Sequence, residues 1–425
     1  MNENKLFKEK NNRKDRKLIL FYIAYYLMVF CKGFGLNQSD AIYNKLFFAI
    51  IAILLLRFFS LKYSKRELII VSTLVGVGLL TYINGAETTL LFTIVFLVCS
   101  KGIDFEKTIK NSMYLYFMGT VLKLILYYTG FYEGGAKVVN LVENGYSVTL
   151  EYSGYGFITP NVLYANVFLI ILMFFYVYNE KMKLIHFVLS FFIMYKFYTM
   201  THCRTGFLVY LCLLCSVLIF KYIKEQRFIL ELSMIVVQTV SFLIGIALPV
   251  LYNPSWSIFV TLNKILTGRF RLAKDAINNI GISLFGKTGC SLDILYMNVL
   301  IRDGLCGFII TLAAIVMLFI SLRQSKNMMG YICMTLMTLY ASIEQFPMNI
   351  AMNPFLLLIG VNIIYKCNRK GGSSFKYGTC WVENPEKTEE LQKMLGSLEE
   401  NPRKKGEPIC ATPHLGEELL EKPEI

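Results

Sequence analysis

Residues 228–251 read FILELSMIVVQTVSFLIGIALPVL, a run in which Glu231 is the sole charge. As a helix it would extend about 36 Å, enough to cross a hydrocarbon core of roughly 30 Å. Lys221, Lys224 and Arg227 precede it, and a long polar gap, residues 253–303, follows. Eleven further apolar stretches surround this one, at 18–36, 41–59, 67–83, 88–101, 109–130, 160–178, 184–200, 205–222, 304–322, 328–346 and 351–366. The chain is 55% apolar and only 17% charged, a balance that excludes an ordinary soluble protein of this length. The expected fold is therefore all-α: a polytopic integral membrane protein of about 12 transmembrane helices.

Charge sets the expected orientation. Alternate gaps hold the basic cluster at residues 5–17, then Lys62, Lys65 and Arg66, then Lys101, Lys107 and Lys110. The same side continues with Lys181 and Lys183, with Lys221, Lys224 and Arg227, with Arg323 and Lys326, and with Lys366, Arg369 and Lys370. Short gaps opposite are nearly free of such charge, so the positive-inside rule puts both termini in the cytoplasm. The domain plan is then a basic N-terminus (1–17), a membrane domain (18–366) and a polar tail (367–425). That tail has no apolar run and a net acidic balance, and is expected to be disordered or an appendage without function. The eleven cysteines are scattered, mostly within apolar runs, and predict neither a disulfide framework nor a zinc site.

Two gaps on the outer side are longer than connectors. Residues 131–159 are rich in Gly and Tyr (Tyr132, Tyr146, Tyr152, Tyr155), rings suited either to an interfacial aromatic belt or to stacking on sugars. Residues 253–303 carry Lys264, Arg269, Arg271, Lys274, Lys287 and Arg302 on the side where basic charge is scarce. An anionic, phosphate-bearing ligand is the expected reason, since guanidinium forks bind phosphate oxygens bidentately. Arg269 and Arg271, two residues apart, are expected to reach one headgroup together.

Four segments in order carry a family resemblance. They are Leu262-Asn-Lys-Ile-Leu-Thr-Gly-Arg269 with Ile282-Ser-Leu-Phe-Gly286, then Gly156-Phe-Ile-Thr-Pro-Asn161, Thr201-His-Cys-Arg204-Thr-Gly206, and Leu292-Asp293-Ile-Leu-Tyr296 running on to Gly304. Together they resemble the Wzy-type O-antigen and capsular polysaccharide polymerases, within the O-antigen ligase-like superfamily, over residues ~20–365. Ile294 stands where that family has Asn, and His202 and Cys203 stand where small hydroxyl residues are common. The resemblance implies a membrane glycosyltransferase of the bacterial cytoplasmic membrane. It would transfer a growing glycan from undecaprenyl diphosphate to a lipid-linked oligosaccharide repeat unit at the outer face. Both lipid-linked substrates and the bilayer are the expected partners, with a flippase and a chain-length regulator beside them, and no nucleic acid. No cofactor is expected. No Asp/His cluster has metal-ligand spacing, so arginines are expected to do the work of a divalent cation.

Within that expectation Arg204, Arg269, Arg271, Tyr296 and Asn161 bind substrate. Asp293, His202 and Glu344 are the catalytic candidates, with Glu344 also a partner for Arg204 across one cavity. A ligase using the same donor shares this architecture, and a flippase or transporter of the lipid-linked unit has a similar span count. A non-enzymatic membrane protein is the remaining alternative.

Overall fold

The computed structural model describes residues 3–38, 40–133, 136–143, 146–222, 227–289 and 291–365. These belong to one compact unit, Met1–Cys380; a second, Trp381–Ile425, lies outside the described residues, as does the tail expected from 367. Apart from one hairpin the body is helical: a polytopic membrane protein by the length and composition of its helices. Among the described residues seven helices are long and apolar enough to cross a bilayer: α2 (Ala41–Ser60), α3 (Lys65–Gly85), α6 (Pro160–Tyr178), α7 (Leu184–Thr201), α8 (Arg204–Tyr222), and the segments Phe228–Leu251 and Leu295–Gln324. Three shorter apolar helices accompany them: α4 (Thr88–Cys99), α15 (Met328–Ala341) and Pro354–Ile364. α1 (Glu3–Gly33) and α5 (Phe105–Tyr128) complete the bundle, each carrying charge within its length.

The outward faces are apolar. Phe48, Phe59, Ile69 and Ile83 on α2 and α3 are more than two-thirds exposed, which suits lipid and would be an aggregation hazard in water. α6 is the axis of the bundle, with 61% of its apolar window buried against 33% or less for the other six long spans. Lipid supplies no hydrophobic force between helices, so close backbone approach carries the packing. Gly33 of α1 and Gly119 of α5 meet this way: a Cβ on Gly119 would lie 2.7 Å from Phe34 N, and one on Gly33 2.9 Å from Tyr116 Cα. Thr120 Oγ1 and Asn166 Nδ2 both donate to Gly33 O at 3.1 Å, clamping the end of α1 between α5 and α6.

Both long gaps contain structure that the sequence reading left as loop. In the first, β1 (Ala136–Glu143) pairs antiparallel with β2 (Tyr146–Ser153) from Ala136↔Ser153 to Glu143↔Tyr146. In the second, two amphipathic helices appear, α11 (Ser257–Ile265) and α12 (Arg269–Ile280). The span expected to begin at residue 304 begins earlier. Leu295–Asn298 (α13) and a π turn, Val299–Asp303, run directly into α14 (Gly304–Gln324) and are almost wholly buried. The stretch Tyr296 to Ile301, apolar except for Asn298, explains the extension, because it continues the hydrophobic segment across the charge at Arg302–Asp303. The preceding long span changes too: α9 (Arg227–Phe242) passes through a π turn, Leu243–Ala247, before α10 (Leu248–Leu251).

α15 ends at Ala341, short of residue 346 where the sequence suggested. Irregular but buried backbone follows, including Ser342, Ile343, Pro347, Met348, Ile350, Ala351 and Asn353. Backbone that leaves the helix at such depth must find partners within the protein. It does: Thr93 Oγ1 donates to Met348 O at 2.8 Å and Asn353 Nδ2 to Pro347 O at 2.9 Å.

Candidate functional site

The basic gap folds down onto the end of α15. α12 starts after Thr267 and Gly268, both at positive φ, and its buried residues Phe270, Ala273 and Ala276 recur at helical spacing against Leu292, Ile294, Met297 and Ile301. That packing turns Arg269 inward. Its Nη2 donates to Glu344 Oε1 at 2.9 Å and its Nη1 to Ile343 O at 2.7 Å. The second contact places the cation on a main-chain carbonyl of the irregular segment that follows α15. Its Nε lies 3.1 Å from Asp293 Oδ2 without hydrogen-bond alignment, leaving that N–H open toward the half-exposed Asp293. Burial disfavours the charge on Arg269, but Glu344 and then Asp293 outweigh it and hold the guanidinium above its ordinary pKa.

Asn161, in the first turn of α6, donates through Nδ2 to the same Glu344 Oε1 at 3.4 Å. Asn161, Arg269, Asp293 and Glu344, drawn from four separate segments, thus form one cluster. This is the central finding about the site, since nothing in their spacing required it. The expected partnership of Glu344 with Arg204 is replaced here by its ion pair with Arg269. Arg204 opens α8 and is exposed.

His202 caps α7 in a left-handed conformation, φ 50°, and its exposed ring stands edge-on to Tyr198 at 6.4 Å. Cys203, between His202 and Arg204, is buried. Burial, with Glu344 beside it, pushes its thiol up to about 11, so it stays protonated and is a poor nucleophile. Gly206 completes the motif by close approach: a Cβ there would lie 2.5 Å from the Tyr164 ring and 2.6 Å from Tyr340 Oη.

Two expectations are corrected. Arg271 is exposed and points away from Arg269, because residues i and i+2 on a helix do not face each other. The two arginines therefore do not form one clamp. Tyr296 is 1% exposed, donates to Thr338 O at 3.1 Å, and has its ring against Gly245 and Phe242. It is a core residue packed beside the Leu243–Ala247 π turn, and it makes no wall for a ligand. Tyr296→Phe is expected to cost about 0.5–1.5 kcal/mol of stability, the net worth of one hydrogen bond, which thermal unfolding of the purified variant checks. The aromatic loop is only partly open to view, because the side chains of Tyr146 and Tyr152 lie outside the described residues. Tyr155 sits at φ 49° with its ring 5.7 Å from Tyr127.

The remaining basic residues divide by role. Lys274 donates to Val250 O at 2.6 Å, tying α12 to α10, and Lys287 donates to Ile280 O at 2.7 Å within the loop. Arg302 pairs with Glu87 at 2.6 Å, the same carboxylate that caps α4 through Thr89. Lys264, Arg271 and Arg204 are exposed. Sequence reasoning missed Lys32 and Lys123, a pair of lysines within the apolar helices α1 and α5. A lysine inside an apolar run is signal enough to flag each one. The described residues contain no group of three or more His, Cys, Asp or Glu arranged to hold a metal ion. No family model, no curated protein and no solved structure matches this chain.

Proposed function

We propose that the protein is a membrane polysaccharide polymerase, joining lipid-linked glycans at the outer face of a bacterial cytoplasmic membrane. Twelve spans with both termini inside and the two long gaps outside make up the topology of this reading. In the reaction the glycosidic C1–O bond of the donor glycan to diphosphate breaks. A hydroxyl oxygen of the acceptor glycan bonds to that C1, its proton passes to a base, and polyprenyl diphosphate leaves.

One observation carries the reading: a guanidinium fixed by Glu344 and the Ile343 carbonyl, with its Nε–H unaligned beside a half-exposed carboxylate. A preorganised cation stabilises a leaving diphosphate without reorganising during reaction. Asp293 is the most exposed member of the cluster and takes the role of base; Glu344 positions Arg269. Arg204, Arg271 and Lys264 supply exposed positive charge that draws the anionic donor in. The four ordered motif segments add the family resemblance to this chemistry.

Cells lacking the protein discriminate the reading. Loss of a polymerase leaves single repeat units on the surface, loss of a ligase leaves unattached polymer, and loss of a flippase strands units inside. Orientation is checked by cysteine labelling of intact cells with an impermeant reagent. Ser255→Cys, at an exposed position beside α11, is expected to react, and Lys62→Cys, in the basic α2–α3 connection, to be spared. The reverse pattern would discard the catalytic side along with the topology.

A further inference from the structure

Lys123 lies on the stripe of α5 that faces α1, one turn beyond Gly119 and Thr120, and is 4% exposed. Its ammonium sits 3.3 Å from the centroid of the Tyr132 ring and 4.8 Å from that of Phe34. Among the described residues it makes no hydrogen bond and no ion pair. Lys32, at the end of α1, donates weakly to Leu36 O at 3.3 Å and lies 4.3 Å from the Tyr43 ring. Asp40, at the start of α2, accepts from Asn37 N at 2.8 Å, and among the described residues it forms no ion pair with either lysine. Aromatic faces soften the cost of a buried ammonium but do not replace a counter-ion. The α1–α5–α6 clamp through Gly33, Gly119 and Asn166 holds both lysines on a rigid frame. They stand at the same end of the bundle as the Arg269 cluster, since α6 begins there with Asn161 and meets the end of α1 through Asn166. Tyr132 stays partly exposed and offers a ring beside the charge.

We infer that Lys123 and Lys32, walled by Tyr132, Phe34 and Tyr43, form a second anion site that takes the diphosphate of a second glycolipid. The inference rests on the reading above: joining two lipid-linked glycans requires two diphosphates to be held at once. Arg269 then serves the donor, whose diphosphate leaves, and the lysines serve the acceptor, whose diphosphate stays bonded. Lysine suits the second task, because a point charge holds an anion without the fork geometry that a changing phosphate demands.

The test counts bound farnesyl diphosphate on the purified full chain in nanodiscs by native mass spectrometry, with farnesol and inorganic diphosphate alongside. Two molecules per chain are expected for the wild type, one for Lys123→Met and one for Arg269→Gln, with no binding of farnesol. Lys123→Arg is expected to keep two. Unfolding temperature serves as the folding control, and Lys123→Met is expected to equal or exceed the wild type because a buried charge with no ion-pair partner among the described residues is gone. Two molecules retained in Lys123→Met would overturn the inference. A single wild-type molecule, lost in Arg269→Gln and kept in Lys123→Met, would overturn it while sparing the proposed function. Loss in Lys123→Met alone would support the lysine site and remove Arg269 from the donor role. No binding by any form would overturn both. Inorganic diphosphate competing at equal strength at the Lys123 site would assign it to free anions, against the glycolipid.

Discussion

Arg269→Ala is expected to abolish polymer formation, with a loss of at least 10- to 100-fold from the missing charge-assisted contact of roughly 1.5–3 kcal/mol. Protein level falls as well, because Glu344 is left as an inward carboxylate without its cation, a loss of about 3 kcal/mol for breaking a pair of this burial. The two effects separate in a double-variant cycle. Glu344→Ala removes the stranded charge, so Arg269→Ala with Glu344→Ala should accumulate better than Arg269→Ala alone, while polymer remains absent. A coupling of about 1–3 kcal/mol in unfolding free energy is the expected size for residues in contact. Arg269→Lys keeps charge but cannot span Ile343 O and Glu344 Oε1 together, and should recover only part of the activity. Arg271→Ala, on the opposite face of α12, is expected to weaken capture of substrate at low salt, to differ little from wild type at high salt where the charge is screened, and to spare the chemistry. Strictly additive stability losses for Arg269 and Glu344, or full-length polymer from Arg269→Ala, would remove the cluster from the mechanism.

The largest structural effect is expected at Gly286. The basic gap meets the bundle where the Arg302 carbonyl is enclosed by two glycines: a Cβ on Gly85 or on Gly286 would lie 1.9 Å from that oxygen. Gly304 completes the junction, since a Cβ there would lie 2.2 Å from Gly286 N. The first turn of α14 depends on this contact. Leu305 N and Cys306 N, orphan donors of a helix start, are satisfied by Ser283 O at 2.9 Å and Leu284 O at 3.0 Å, and Lys287 N donates to Ile301 O at 3.0 Å. Gly286 also has φ 93°, a region a side chain rarely adopts. Gly286→Ala therefore combines backbone overlap, strain and at least one lost capping bond, for a destabilisation of about 4 kcal/mol or more. Membrane abundance should fall sharply, and protease cleavage between α12 and α13 should appear. Gly289→Ala, with open space around its Cβ position although its φ is also positive, is the matched control and should cost far less. Equal behaviour of the two variants would mean that the junction does not hold the loop.

Much of this architecture was written in composition. The helices follow from apolar runs whose length matches a bilayer, and lipid-facing exposure of residues such as Phe59 and Ile83 is the physical counterpart of that signal. Boundaries failed where a buried segment carries charge or leaves helical form. Arg302 and Asp303 marked an apparent span edge, yet Tyr296 to Ile301 are buried before them. The end of α15 was hidden because irregular backbone inside the bundle has the same apolar composition as a helix. Arg269 and Glu344 stood out singly as charges in unusual places, but which cation met which acid depended on α12 turning Phe270 and Ala273 inward. The amphipathic period of α12 was present in the sequence and would have separated Arg269 from Arg271. The lysines of α1 and α5 were overlooked since each sits in a run otherwise typical of a span.

One anchor of the site has an evolutionary implication. Arg269 Nη1 donates to Ile343 O, a main-chain acceptor, so that contact belongs to the route of the backbone and not to any side chain at 343. Residue 343 is therefore free to drift among apolar types without loosening the cation, while the length of the segment between Ala341 and Glu344 is not. Diverged chains sharing this device would be recognised by an arginine, an acid and a fixed count of residues after the helix, and would look unrelated to any comparison that weighs residue identity position by position.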